Sequence, residues 1–223
     1  MKQLVLLLPI ICTTTIASAQ CPNYFPVKTG EVMELTSYNA KDKLEGRTET
    51  TVLSSDGTEV NLRSQTYDEK DKEVVAMEFT MRCEADALHV DMRRFMAPET
   101  TAAWEGMENV SFEIEGDMLE FPSRLNVGQQ LPDAVMTMKM MMSGSQFMTI
   151  TIMITNRVVE SKEDVTTPLG TFSCYKITYD FEAKSIIGTK SKGADWISME
   201  KGVMRTESYN NAGKLQNYSV RTK

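Results

Sequence analysis

The sequence predicts an all-β protein: a single curved antiparallel meander sheet, or half-open β-barrel, with at most one short helix. Three observations carry this expectation. Short segments of alternating apolar and polar residues recur along most of the chain, and a period of two marks a half-buried strand. One type of hairpin turn returns three times. The middle of the chain holds two long stretches in which every second residue is apolar.

Val32 to Thr36 opens the first strand, residues 38–43 lead it into a turn, and Arg47 to Leu53 returns. Ser55-Asp56-Gly57 marks the next reversal, because Asp-Gly readily supplies the positive φ of a tight hairpin. Val60 to Tyr67, Val74 to Cys83 and Leu88 to Met92 read as the strands that follow. Ser37-Tyr38-Asn39-Ala40-Lys41-Asp42-Lys43 is echoed by Thr66-Tyr67-Asp68-Glu69-Lys70-Asp71-Lys72 and by Ser208-Tyr209-Asn210-Asn211-Ala212-Gly213-Lys214. In each, an aromatic residue ends a strand and a polar segment reverses the chain. Three copies are too few for a solenoid and suit a meander.

Pro98 to Met107 reads as the one short helix, since Pro is tolerated in a first turn and Ala-Ala-Trp-Glu is helix-compatible. Glu113 to Phe121 alternates weakly across Gly116-Asp117. Phe121-Pro122, Gly128 and Leu131-Pro132-Asp133 make a loop-rich connection. From Val135 the alternation strengthens: Met136, Met138, Met140 and Met142 share one face, with Thr137 and Lys139 opposite. Beyond Ser143-Gly144-Ser145, Met148, Ile150, Ile152 and Ile154 share a face against Thr149, Thr151 and Thr155. The pair reads as a hairpin lining an interior. Later strands are Val158 to Val165, Phe172 to Glu182, Asp195 to Met199, Val203 to Tyr209 and Leu215 to Arg221. No Pro/Gly/Ser-rich linker divides the chain, so residues 20–223 read as a single β-rich domain.

Residues 1–19 have the pattern of a signal peptide: Lys2, the apolar run Leu4 to Ile11, and Ala17-Ser18-Ala19. The apolar run is too short to cross a bilayer, which takes about 20 residues, and no longer one follows. The expectation is an exported protein, periplasmic or envelope-associated in a Gram-negative bacterium, with no transmembrane span. Cys21 raises lipidation, but Gln20 stands where lipoprotein processing needs a small residue, so cleavage after Ala19 is expected. Net charge is −7 for the whole chain, and loss of Lys2 makes it more negative. An acidic balance argues against a nucleic-acid partner, which requires clustered Lys and Arg.

Cys12 leaves with the signal peptide, and Cys21, Cys83 and Cys174 remain for an oxidising compartment. If strands alternate direction from the first, the chain before Val32 and the end of the strand at Cys83 lie at one end of the sheet. A Cys21–Cys83 disulfide is the expected pairing, with Cys174 as the rival partner. No CxxC motif is present.

Thr167-Pro168-Leu169-Gly170-Thr171-Phe172-Ser173-Cys174-Tyr175-Lys176-Ile177 resembles the TPxGTFxCYKI signature of the TapB-like family of exported bacterial proteins of unknown function. Trp196, Lys201-Gly202-Val203-Met204-Arg205, Glu207-Ser208-Tyr209 and Gly213-Lys214-Leu215 resemble that family's closing hairpin. Tyr24-Phe25-Pro26 with Gly30, and Pro122 with Gly128 and Leu131-Pro132-Asp133, fit its pattern too. The resemblance implies a curved or barrel-like antiparallel sheet, similar in outline to envelope proteins that hold lipids or lipoproteins in a half-open barrel. It implies no enzymatic activity.

Catalytic residues are not expected. His89 is the only histidine, and no GxSxG-like turn supplies a nucleophile for it. Glu69, Asp71 and Glu73 interleave with lysines, as on a solvated hairpin, and Glu163 and Asp164 precede a turn. Met136, Met138, Met140, Met141 and Met142 could offer thioethers to Cu(I), but residues two apart on a strand lie nearly 7 Å apart, so no metal site or cofactor is assigned. Methionine also makes an adaptable apolar lining. The reading is therefore a non-enzymatic envelope protein binding an apolar ligand, a lipid or acyl chain, on a concave face. Its candidate ligand residues are Met136, Met138, Met140, Met142, Met148, Ile150, Ile152, Ile154 and Trp196. The alternatives are assembly on an envelope protein partner without a small ligand, and copper binding by the methionines.

Overall fold

A computed structural model of the chain describes residues 25, 27–84, 87–92, 109–185 and 188–223. The expected signal peptide, Cys21 and the expected helix lie outside these residues. The described residues form β1 (Val32–Asn39), β2 (Leu44–Ser55), β3 (Glu59–Asp68), β4 (Glu73–Glu84), β5 (Ala87–Asp91), β6 (Val110–Gly116) and β7 (Met118–Pro122). They continue as β8 (Ala134–Met142), β9 (Ser145–Thr167), β10 (Gly170–Lys184), β11 (Thr189–Ser198), β12 (Gly202–Asn210) and β13 (Leu215–Arg221). All belong to one antiparallel sheet, ordered β6-β8-β9-β10-β11-β12-β13-β1-β2-β3-β4-β5-β7. The all-β, barrel-like expectation holds.

The sheet's two edge strands, β6 and β7, are consecutive in the chain and separated only by Asp117. Because one strand leads directly into the other, the two edges meet and the sheet nearly closes on itself. Asp117, at the junction, is fixed to β8: its N–H donates to the Val135 carbonyl at 2.8 Å and its carboxylate accepts from Val135 N–H at 3.2 Å. The weak alternation across Gly116-Asp117 is thus two strands, one on each side of the barrel seam.

The three echoed turns share one mechanism. Asn39 Oδ1 accepts the N–H groups of Lys41 and Lys43, Asp68 Oδ1 those of Lys70 and Lys72, and Asn210 Oδ1 those of Ala212 and Lys214. Three residues after each of these, Asp42, Asp71 and Gly213 take positive φ of 60°, 62° and 77°. Asp and Gly tolerate that conformation better than most residues. A register shift falls at Tyr38, Tyr67 and Tyr209 in turn. The β1–β2, β3–β4 and β12–β13 turns are therefore built alike, and alternation of direction puts them at one end of the barrel.

The β2–β3 turn uses Asp56 differently. Its Oδ1 accepts Thr58 N–H at 2.8 Å and Glu59 N–H at 2.7 Å, while Gly57 sits at φ 92°. These backbone donors hold the carboxyl down to about 2 from 3.8. A carboxyl depressed in the folded state contributes stability above its unfolded value, and that contribution disappears as pH falls through the folded value. Wild type is therefore expected to lose stability between pH 3.8 and about 2 more steeply than Asp56→Asn. Urea melts at stepped pH measure this; parallel curves would contradict it.

Where the sequence suggests two strands, Met148 to Ile154 and Val158 to Val165, the structure has the single 23-residue strand β9. The break in alternation is a bulge. Ile152 and Ile154 point inward, Asn156 takes φ 53°, and Arg157 and Val159 then face the core. Asn156 is held on both flanks: its N–H donates to Asp133 Oδ1 at 2.9 Å and its side-chain amide to Asp180 Oδ2 at 2.8 Å. The 123–133 connection lies along β9 here, with Leu131 N–H donating to the Arg157 carbonyl at 2.9 Å.

The main core fills the barrel between β8–β9 and β3–β5 with β7. A second, smaller core of Val165, Cys174, Ala194, Trp196 and Met204 lies on the other face of β9–β12. There the sheet curls until β9 and β12, with two strands between them, come into contact. Among the described residues no helix is long and apolar enough to cross a membrane.

Candidate functional site

Inward-facing positions of β1, β2, β3, β12 and β13 carry small hydroxyl residues where β8 and β9 carry Met and Ile. Ser and Thr do not reach the barrel centre, and a cavity of about 320 Å³ remains. That volume is at the lower end for ligand pockets. Phe25, Leu35, Val75, Met77, Phe79, Phe121 and Val203 supply its apolar wall. A smaller space of about 50 Å³ continues it past Phe25, Leu35 and Phe79 to Met33, Leu62 and Met81.

The polar wall is ordered by the sheet register. Asp195 on β11 pairs with Thr206 on β12, Thr206 with Ser219 on β13, and Ser219 with Ser37 on β1. Residues opposite one another in neighbouring strands point to the same face, so these four form a belt across the lumen. Ser37 and Ser219 hydroxyls lie 2.7 Å apart, and Thr48 and Thr66 extend the belt with a 3.2 Å contact. Phe25, packed on Phe121 with ring centroids 5.5 Å apart, stands across the lumen from it.

Beyond Phe121, Tyr179 and Asp195 lies a space of about 10 Å³ that also touches Arg157. Arg157 is 1% exposed. Its guanidinium lies 4.9 Å over the Phe121 ring, and Nη1 donates to the Pro132 carbonyl at 2.7 Å. Burial pulls its pKa down to about 10, opposed first by the Asp195 carboxylate and then by Glu120, Tyr179 and Asp133. Tyr179 donates to Asp195 at 3.4 Å, and its ring covers Gly193, where any Cβ would collide with it.

The expected ligand face lies elsewhere. Met136, Met138 and Met140 are 2%, 1% and 0% exposed, and Ile152 and Ile154 are buried beside them. Met148 and Ile150 pack partly buried against the same core. Only Ile154 touches the 10 Å³ space, and Met136 lines a separate 280 Å³ cleft at the seam with Ile114, Asp117 and Met118. Met142 keeps the same face in the register with β6 but is exposed, at the end of β8 next to the turn that Ser143 and Gly144 make. Trp196 is in the second core, because its neighbour Asp195 takes the lumen face. Its indole N–H donates to Glu163 Oε1 at 2.5 Å. The structure therefore packs most of the methionine face and gathers Phe25, Leu35, Met77, Phe79 and the hydroxyl belt around the cavity instead.

Cys174 is a free, buried thiol pushed up to about 11 by burial. It does not serve as the rival disulfide partner; Cys21, outside the described residues, leaves the Cys21–Cys83 pairing open. His89 faces outward between buried Leu88 and Val90, with Arg82 and Glu120 as register partners.

Solved structures share this architecture. A Bacteroides fragilis protein described as exported, with a YmcC-like fold, is 25% identical; the match covers 91% of this chain and 100% of that one, with a TM-score of 0.70. A Parabacteroides distasonis protein described as a lipoprotein is 22% identical; 91% of this chain and 98% of that one align, with a TM-score of 0.71. No curated protein matches. The DUF3108-like family matches residues 28–220, nearly the whole described sheet. The chain belongs to the DUF3108-like family.

Proposed function

We propose that this chain is an exported, non-enzymatic envelope protein that holds an amphipathic lipid or acyl-chain compound inside its barrel. The observation that carries the reading is the 320 Å³ cavity with an apolar wall on one side and an ordered hydroxyl belt on the other. A merely packed barrel gains nothing from hydroxyls at inward positions. Hydroxyl groups in a lumen suit a ligand with its own polar end. The ligand residues of this reading are those of the lumen, with the β8–β9 Met and Ile residues as the packed wall behind it.

Export rests on the signal-peptide pattern of residues 1–19 and on the exported Bacteroides fragilis relative. A periplasmic or envelope location in a Gram-negative cell is part of the same reading. The narrower TapB-like likeness rests on Thr167–Ile177 together with the closing-hairpin and upstream residues that fit the same pattern. The free Cys174 thiol favours a Cys21–Cys83 disulfide, and non-reducing peptide mapping should link those two; a Cys174-containing link would refute it.

Native mass spectrometry of protein isolated without detergent tests the carrier reading. An adduct of lipid mass is expected on wild type and should be lost from Ser64→Trp, whose indole would occupy the lumen. Retention of the adduct by that variant would place the ligand outside the cavity. The burial of Met136, Met138 and Met140 argues against copper. Docking of an envelope protein partner finds no comparable support, because the two edge strands, β6 and β7, meet at the seam.

A further inference from the structure

We infer that Arg157 anchors the polar end of the ligand, donating from Nη2 to a neutral oxygen, so that the lumen selects an uncharged amphipath of acylglycerol type. The inference rests on the carrier reading and deepens it. Arg157 is buried, and its Nη2 has no hydrogen-bond partner. A buried donor left unpaired is costly, and natural structures seldom keep one without a reason.

The chain is specially built to place this donor. Plain alternation from Ile154 would send Asn156 inward. The left-handed bulge at Asn156, fixed by Asp133 and Asp180, turns Arg157 inward instead. Bulges that re-aim a side chain cluster near functional sites, and a strained non-glycine residue persists only where its surroundings hold it.

Three features define what Arg157 would meet. The space between it, Tyr179 and Asp195 is about 10 Å³, which fits one oxygen-sized group and not a phosphate. That space shares Phe121, Tyr179 and Asp195 with the main cavity, so a ligand in the lumen reaches it at the end of the hydroxyl belt. The charges bearing on Arg157 are Asp195, Glu120 and Asp133, which oppose a carboxylate ligand. A carbonyl or hydroxyl oxygen can accept from Nη2 without that repulsion, and further hydroxyls of a glycerol can bond to Ser37, Thr206 and Ser219. The acyl chain then lies against Phe25, Leu35 and Phe79.

The test uses the full chain and two probes, decanoyl glycerol and decanoate, followed by isothermal titration calorimetry. Wild type should bind decanoyl glycerol at least ~10-fold more tightly than decanoate. Arg157→Met, which keeps the stem and removes the donors, should weaken decanoyl glycerol ~10-fold or more, the scale of one charge-assisted hydrogen bond. Arg157→Lys keeps charge but loses the planar fork, and should also weaken it if Arg157→Met does not fold. Equal glycerol-ester affinity in wild type and variant, or tighter binding of decanoate, overturns the Arg157 assignment while leaving the carrier reading intact. No binding of either probe to wild type overturns both.

Discussion

Met140→Glu is expected to unfold the protein at neutral pH and to let it recover in acid. Met140 is 0% exposed, flanked in register by Phe112 and Met148 and packed in the main core. Neither neighbour can pair with a carboxylate. A buried charge without a partner costs several kcal/mol, about 3–5 for ion pairs broken in protein interiors. Domains of this kind have only about 5–15 kcal/mol in total. The introduced carboxyl would have its pKa raised in the folded state, so its penalty is absent below the unfolded value near ~4.3 and grows as pH rises above it. Circular dichroism should show loss of strand signal at pH 7 and partial return near pH 4.5. A variant that stays folded at pH 7 and only loses ligand would mean that Met140 borders open space.

Gly116→Ala should be the next most damaging change, at roughly 3 kcal/mol, the combined scale of backbone strain and overpacking. Gly116 ends β6 at the seam with φ 148°, and a Cβ there would overlap the Val135 carbonyl oxygen and the Met136 Cα. Both are backbone atoms of a paired strand and cannot swing aside. Gly144→Ala is the matched control: its φ is 79°, yet nothing lies within 4 Å of the added methyl group. It should cost only the strain, about 1 kcal/mol. Urea melts of the two variants separate the effects, and equal losses would show that seam contact adds nothing.

The turns were legible because their chemistry is local. An Asn or Asp whose side chain caps the turn, and an Asp or Gly three residues on, can be read in any one copy and checked in the others. The continuity of β9 was hidden because a bulge looks like a gap: Thr155-Asn156-Arg157 interrupts the alternation although the ladder to β10 runs on either side. The seam was hidden for a different reason. Nothing local to Gly116-Asp117 reveals that the strands before and after it belong to opposite edges of the sheet.

The ligand face could be drawn from sequence but not what it faces. Met136, Met138 and Met140 do share a face, and apart from the seam cleft that Met136 borders, that face meets other side chains instead of the lumen. A cavity arises where side-chain volume is missing, and the signal for it was Ser37, Thr48, Thr50, Ser64 and Thr66 at positions that alternate with outward residues. Reading these hydroxyls as the solvated side of each strand conceals the lumen. Trp196 shows the same ambiguity: period-two alternation separates Asp195 from Trp196 but does not say which faces inward.

Methyl NMR of protein labelled at its methionine Cε positions, titrated with decanoyl glycerol, tests most directly where a ligand sits. Met77 lines the main cavity and Met33 and Met81 its inner extension, whereas Met138 and Met140 lie in the packed core. The Met77 resonance should shift and saturate, with smaller shifts at Met33 and Met81 and none at Met138 or Met140. Saturating shifts at Met138 and Met140 with Met77 unmoved would contradict the lumen as the binding site.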